Sequence, residues 1–147
     1  MLILTLKKIT LIHGGELNMA LTNENVIHIL DKDFSSRLNN FYEYMVNLSE
    51  DHGFNKFFVR TRSHVMITVL VASRSTELFS FEKICYKIPS NIASRSTIKS
   101  ILDDGVRQSY FEKYEDPKDR RIQLYRLADA NLIHMNSWVK MQNKIFA

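Results

Sequence analysis

The chain runs to 147 residues yet carries only four glycines, Gly14, Gly15, Gly53 and Gly105, and two prolines, Pro89 and Pro117. Glycine and proline most readily end regular structure, so their scarcity predicts long helices and gives each breaker positional meaning. Between breakers the apolar residues recur with helical period. Phe34, Leu38, Phe41, Tyr42, Met45 and Leu48 fall on one stripe of an amphipathic helix that Gly53 closes. Ahead of it, Asn25 to Leu30 reads as a short helical lead-in, with Thr22 or Asn23 as its cap.

The stretch from Lys56 to Ser75 pulls two ways. Val65 to Val71 is rich in β-branched residues and by propensity could be a buried strand. Periodicity alone leaves both open; Phe58, Val65, Val69 and Ala72 keep helical spacing and no nearby segment offers a hairpin partner, which favours a buried helix, a choice that leans partly on the family resemblance described below. Ser80 then reads as an N-cap for a short helix whose inward face is Phe81, Ile84, Cys85 and Ile88 and which stops before Pro89. A small polar turn leads into a further helix over Ser94 to Ser109. There Ser94, Ile98, Ile101, Leu102 and Gly105 share one side, and Arg95, Ser96, Lys99, Ser100 and Arg107 the other. Two short helices around a tight polar turn form a helix-turn-helix pattern.

Two extended stretches follow, Tyr110 to Glu115 and Arg121 to Leu127, separated by Asp116-Pro117-Lys118-Asp119. Asp at the first position of a type I turn bonds the backbone ahead of it, and Pro at the second presets φ, so the segment predicts a β-hairpin with a basic tip: a wing. The chain closes with a helix over Asp129 to Phe146, capped by Asp129, whose apolar surface comes from Leu132, Met135, Trp138, Val139, Ile145 and Phe146.

The segment Asp116-Pro117-Lys118-Asp119-Arg120-Arg121, followed by the alternating strand Ile122 to Leu127, resembles the wing of MarR-type transcriptional regulators. Upstream, Ser94-Arg95-Ser96-Thr97-Ile98 and Leu102-Asp103-Asp104-Gly105 resemble the recognition helix of that family, so the likeness covers about Lys56 to Asn143 in order. It departs at Leu127-Ala128-Asp129-Ala130-Asn131, where the family usually has Leu-Thr-x-x-Gly, and the stretch from Gly105 to the wing tip is longer than usual, which points to an extended recognition helix. The implied fold is mainly α (α+β), a winged helix-turn-helix at about 56–127 flanked by dimerisation helices at about 22–52 and 129–146. The resemblance implies a triangular homodimer, and the residues agree: helices with apolar stripes at both ends of a short chain have little core of their own to cover.

The expected function is sequence-specific recognition of double-stranded DNA by a transcriptional regulator, more often a repressor in families of this type, on a pseudo-palindromic site. Arg95 is the candidate for reading guanine O6 and N7 in the major groove, with Ser96 and Thr97 serving bases or phosphates and Lys99 meeting backbone. Lys118, Arg120 and Arg121 at the wing tip are the minor-groove candidates. A lone two-pronged arginine discriminates by only ~1–3 kcal/mol, while phosphate contacts supply most of the affinity, so helix and wing must act together. The formal charge of +4 is a mild basic excess. Asp103, Asp104, Glu112, Glu115, Asp116 and Asp119 dilute it where the candidates lie, and Lys99 can pair with Asp103, or Asp119 with Arg120 or Arg121. The rival from another class is a winged-helix module for protein contacts that reads no DNA.

Cys85 is the single cysteine, which excludes an internal disulfide framework and fits a reducing cytosol, with the nucleoid the expected address. Single cysteines serve as redox sensors in some relatives of this family, but the apolar companions of Cys85 favour an inert core residue. His13, His28, His52, His64 and His134 show no metal-ligand spacing, and no catalytic motif is present, so neither an enzyme nor a metal or cofactor is expected. A small-molecule effector pocket could form around Phe41, Tyr42, Met45 and Trp138, with core packing the default. No membrane segment is expected, because the apolar run Met1 to Ile12 is broken by Lys7 and Lys8 and is too short to span a bilayer. Met19 follows Gly14-Gly15-Glu16, whose purine-rich codons could spell a ribosome-binding site. Residues 1–18 are therefore read as a non-native or disordered leader and 19–147 as one domain.

Overall fold

The computed structural model describes residues 32–73 and 77–147. The expectations about the leader, Met19, the lead-in helix, His13 and His28 fall outside these residues. Six helices and three strands are described: α1 Lys32–Glu50, α2 Phe54–Phe58, α3 Arg62–Ala72, β1 Phe79–Ser80, α4 Phe81–Lys87, α5 Arg95–Arg107, β2 Phe111–Glu115, β3 Gln123–Leu127 and α6 Asp129–Phe146. Residues 40–147 pack as one unit, and residues 32–39 are the first turns of α1. Among the described residues no helix is long and apolar enough to cross a membrane.

The first helix ends at Glu50 rather than at Gly53. Gly53, at φ 71°, instead takes the left-handed backbone that admits the chain to α2, a conformation glycine adopts without a Cβ clash. Phe54, Phe57 and Phe58 from this one short helix are all buried. The helix expected across Lys56 to Ser75 is interrupted by residues 59–61, where Thr61 is extended (φ −146°, ψ 164°) and its hydroxyl accepts from the His64 amide to restart the helix as α3. The β-branched run Val65 to Val71 is helical, because Ile67, Thr68 and Val71 are wholly buried and the helical repeat alone puts them on one face.

Ser80 caps α4 by accepting from the Lys83 amide, as expected, and Ser94, expected within the helix, instead caps α5 by accepting from the Thr97 amide at 3.1 Å. Ile98, Ile101, Leu102 and Gly105 form the buried side of α5. The helix runs two residues beyond Gly105 and stops two short of Ser109. There Ser109 turns left-handed (φ 61°), its amide donates to the Val106 carbonyl, and the Tyr110 amide donates back to the Gly105 carbonyl at 2.7 Å. That pair of bonds is a Schellman closure, which satisfies carbonyls the helix would otherwise leave open.

Strands β2 and β3 pair antiparallel from Phe111↔Leu127 to Glu115↔Gln123, giving the expected hairpin. Each begins one or two residues later than the sequence pattern, since the Tyr110 amide is taken by the helix closure and Arg121 and Ile122 belong to the loop. Strand β1, which sequence reasoning missed, pairs with β3 through Phe79↔Tyr125 and Ser80↔Leu124 and completes a sheet ordered β1-β3-β2. Tyr125, Phe79 and Phe111 from the sheet join Phe58, Ile67, Ile84, Ile98 and Leu102 from the helices in the core.

Asp129 does not cap the last helix, contrary to expectation. Ala128 occupies the cap position with no side-chain bond, and Asp129 is the first helical residue, 3.6 Å from Arg126. Its charge still favours the positive end of the helix. The anchoring passes to buried Asn131, whose side-chain amide donates to the Tyr110 carbonyl at 3.2 Å while the Ala128 amide donates to the same oxygen.

Candidate nucleic-acid interface

The capped N-terminus of α5 presents Arg95, Ser96 and Thr97 to solvent on its first turn. Ser94 organises that turn: its hydroxyl also meets Ser96 Oγ at 2.9 Å and Thr97 Oγ1 at 2.8 Å. Further along the same face Ser96, Lys99, Ser100, Asp103 and Arg107 line an open groove whose other wall is Arg60 and His64. A second hollow adjoins it, between Ser96, Thr97 and Ser100 and the residues Thr61, Ser63 and His64 that begin α3. These hollows bring together Ser96, Thr97 and Lys99 of the predicted set. Lys118, Arg120 and Arg121 line neither and stand in the seven-residue loop between β2 and β3.

Arg60, Thr61, Ser63 and His64 were not singled out from the sequence. A signal was available in Arg60-Thr61-Arg62-Ser63, a basic and hydroxylated run at a helix start. Ser63 Oγ donates to the Ile92 carbonyl and Arg62 Nη2 to the Asn91 carbonyl, so α3 is tied to the turn of the helix-turn-helix. His64 is buried, edge-on to Phe57, with Nδ1 2.8 Å from Thr61 Oγ1. Burial, and then the charge of Arg60, hold its pKa below the ordinary histidine value against the opposite pull of Asp104.

Asp104 is the tie between α5 and the segment before α3. Its carboxylate accepts from Arg60 Nη1 at 3.3 Å, from Arg107 Nη2 and from Gln108 Nε2 at 3.0 Å. Burial pushes its pKa up, but the bonds from Gln108 and Arg107 and the two positive charges outweigh that and leave it below the usual carboxylate value.

Three of the predicted cations carry intramolecular carboxylate partners. Arg95 makes a two-pronged pair with Glu82 of α4, Nη1 to Oε2 at 3.0 Å and Nη2 to Oε1 at 2.6 Å, and its guanidinium lies 5.2 Å from the Phe81 ring centre. Hydrogen bonding from Arg95 lowers the Glu82 pKa, and the same bond raises that of Arg95. Lys99 pairs with Asp103 at 2.5 and 2.6 Å, and Arg121 with Asp119 at 3.2 Å. Lys118 and Arg120 are exposed and have no carboxylate partner among the described residues.

The wing loop is built around Asp116, whose Oδ1 accepts from the Lys118 amide at 2.7 Å and the Asp119 amide at 3.3 Å, as its turn chemistry predicted. The Asp116 amide then donates to the Ile122 carbonyl and closes the loop at its base. Cys85 is half-buried, and burial pushes its thiol pKa up, the direction opposed to a reactive thiolate. Trp138 packs edge-on to Phe58 at 5.4 Å, and Phe41 lies against Phe146 at the same separation. Among the described residues no cluster of His, Cys, Asp and Glu could hold a metal ion.

No protein-family profile matches the chain, and no curated protein matches its sequence. Its fold does match solved structures. The MepR–DNA complex of Staphylococcus aureus superposes with a TM-score of 0.55 at 10% identity, over 74% of this chain and 83% of MepR. MepR of the same organism in its DNA-binding conformation gives 0.50 at 10% identity, over 85% and 80%. Apo MarR of Escherichia coli gives 0.49 at 13% identity, over 84% and 78%. The two MepR superpositions show that the chain has a winged-helix fold.

Proposed function

We propose that this protein is a divergent MarR-family regulator that binds double-stranded DNA sequence-specifically, acting as a homodimeric repressor on a pseudo-palindromic site. The observation that carries the reading is the Ser94-capped helix start, where Arg95, Ser96 and Thr97 face solvent directly ahead of an antiparallel wing bearing exposed Lys118 and Arg120. A helix N-terminus supplies free amides and positive potential to phosphate, and an arginine on its first turn reaches base edges. Arg95 reads guanine, Ser96, Thr97 and Lys99 hold backbone or base edges, and Lys118, Arg120 and Arg121 engage the minor groove and its phosphates. Support for a dimer comes from apolar side chains left in solvent on α6, where Ile133 is 69% and Phe146 52% exposed, and from Tyr42 of α1 at 63%. In this reading the protein works in the cytoplasm with the nucleoid.

The test is selection of binding sites from a random duplex pool, followed by titration of the enriched duplex at several salt concentrations. The parent should enrich a two-fold symmetric site, and log affinity should fall with log salt at about −0.9 per phosphate neutralised. Arg95→Ala should flatten the base preference, and Arg121→Ala should weaken all duplexes evenly. The carboxylate partners of Arg95, Lys99 and Arg121 favour the rival reading, a module for protein contacts. A parent protein that enriches no sequence and shows no salt dependence would refute the DNA-binding reading and leave that rival standing.

A further inference from the structure

Glu82 lies outside the helix that reads DNA in the proposed complex, yet it holds that helix's first side chain. Its carboxylate grips Arg95 end-on, one oxygen on each terminal nitrogen, while Phe81 supports the guanidinium from the side. A guanidinium is planar and offers more than one two-pronged edge. The end-on pair takes the Nη1–Nη2 edge and leaves the Nε–Nη2 edge open, since no acceptor among the described residues meets Nε. Two parallel N–H groups held in a fixed plane match the paired acceptors of guanine in the major groove, O6 and N7, and match no other base there.

We propose that Glu82 is a specificity-determining positioning residue, which fixes the guanidinium of Arg95 so that its free edge reads the guanine of a G·C pair. The inference rests on the DNA-binding reading and deepens it. Two opposed effects follow from the same contact. Ordering a long side chain before DNA arrives removes rotamer freedom that would otherwise be lost on binding, and fixes the angle of approach. The negative charge of Glu82, 73% exposed beside the reading helix, at the same time repels phosphate and weakens attachment to any duplex. Glu82 thus raises base discrimination while lowering sequence-independent affinity. A purely structural residue would do neither, and a carboxylate that merely masked Arg95 would lower both kinds of binding together.

Glu82→Gln separates these roles, because it keeps size and one acceptor oxygen but loses the charge and the second prong. The probes are the duplex enriched by the parent, the same duplex with its G·C pair opposite Arg95 changed to A·T, and an unrelated duplex. Glu82→Gln should bind the unrelated duplex more tightly than the parent, and its preference for G·C over A·T should fall about tenfold. In an Arg95→Ala background the same change should leave the base preference unaltered, since Glu82 acts through Arg95. Thermal melting at the parent's temperature would establish that the variant is folded. Unchanged base preference in Glu82→Gln, or equal tightening on all three duplexes, would overturn the proposal while leaving the DNA-binding reading intact. A parent that prefers none of the three would sink the reading beneath it.

Discussion

Replacing Gly105 with alanine tests how the reading helix is seated. In an exposed helix interior glycine to alanine stabilises by about 1 kcal/mol, through backbone entropy alone. Here the new Cβ would lie 2.2 Å and 2.6 Å from two atoms of the Phe111 ring and 3.3 Å from a third, whereas ordinary contact begins near 3.4 Å. The ring must therefore retreat by about 1 Å. It has nowhere to go: Phe111 is 2% exposed, heads strand β2, and has Phe57 edge-on at 5.9 Å. Overpacking a filled core costs about 1–3 kcal/mol, and a rigid, wholly buried ring belongs at the upper end. Subtracting the helix-propensity gain leaves a net destabilisation of about 1–2 kcal/mol. Chemical denaturation should show a lower midpoint with an unchanged slope. A Gly105→Ala protein as stable as the parent would mean that α5 does not press on β2 through this point, and the account of how the helix is held would fail.

Ser109→Gly should act in the opposite direction, stabilising by up to about 1 kcal/mol in the same assay, because the left-handed residue closing α5 then has no Cβ to strain. Asn131→Ala should cost about 1 kcal/mol, since one of the two donors on the Tyr110 carbonyl is lost from a buried site; an unchanged midpoint would show that the Ala128 amide suffices. His64 has a folded pKa below its unfolded value near 6.5, so between the two values the unfolded chain binds the extra proton. Stability should therefore fall as pH drops through that window and level off beneath it. His64→Gln should lose this dependence, and a His64 ring titrating at or above 6.5 by NMR would contradict it.

Much of this fold could be read from the sequence because its signals are local. Ser80 and Ser94 cap helices through hydroxyls that bond amides three residues on, and Asp116 folds a turn through its own carboxylate, so each acts within its own stretch of chain. The misses are of another kind. Strand β1 has two residues, too few for alternation to register, and exists because β3 offers it an edge. Thr61 breaks a helix in the middle of a run that is apolar on both sides, and its effect depends on a φ of −146° that composition does not announce. Asp129 was expected to cap because aspartate commonly does, but Asn131 and Ala128 already fasten that helix to Tyr110 from a distance in sequence. At the interface, Arg95 to Lys99 lie consecutively on one helix turn and were legible, whereas Arg60 and His64 join them only through the packing of α3 against α5.

The paired cations decide how a winged helix of only mild positive charge could still select a site. Exposed ion pairs stabilise a fold little, so phosphate can replace Asp103 at Lys99 or Asp119 at Arg121 at small cost. The pairs therefore do not prevent binding in the proposed complex; they reduce the field that DNA meets at a distance. Weak attraction to arbitrary sequence is useful to a regulator, because occupancy depends on the ratio of specific to non-specific affinity rather than on either alone. Lys118 and Arg120, which have no carboxylate partner among the described residues, would then supply attraction at the wing, while Arg95, held by Glu82, supplies discrimination on the helix. On this division of labour, removing the wing charges should shift the salt dependence more than the base preference, and disturbing the Glu82–Arg95 pair should do the reverse.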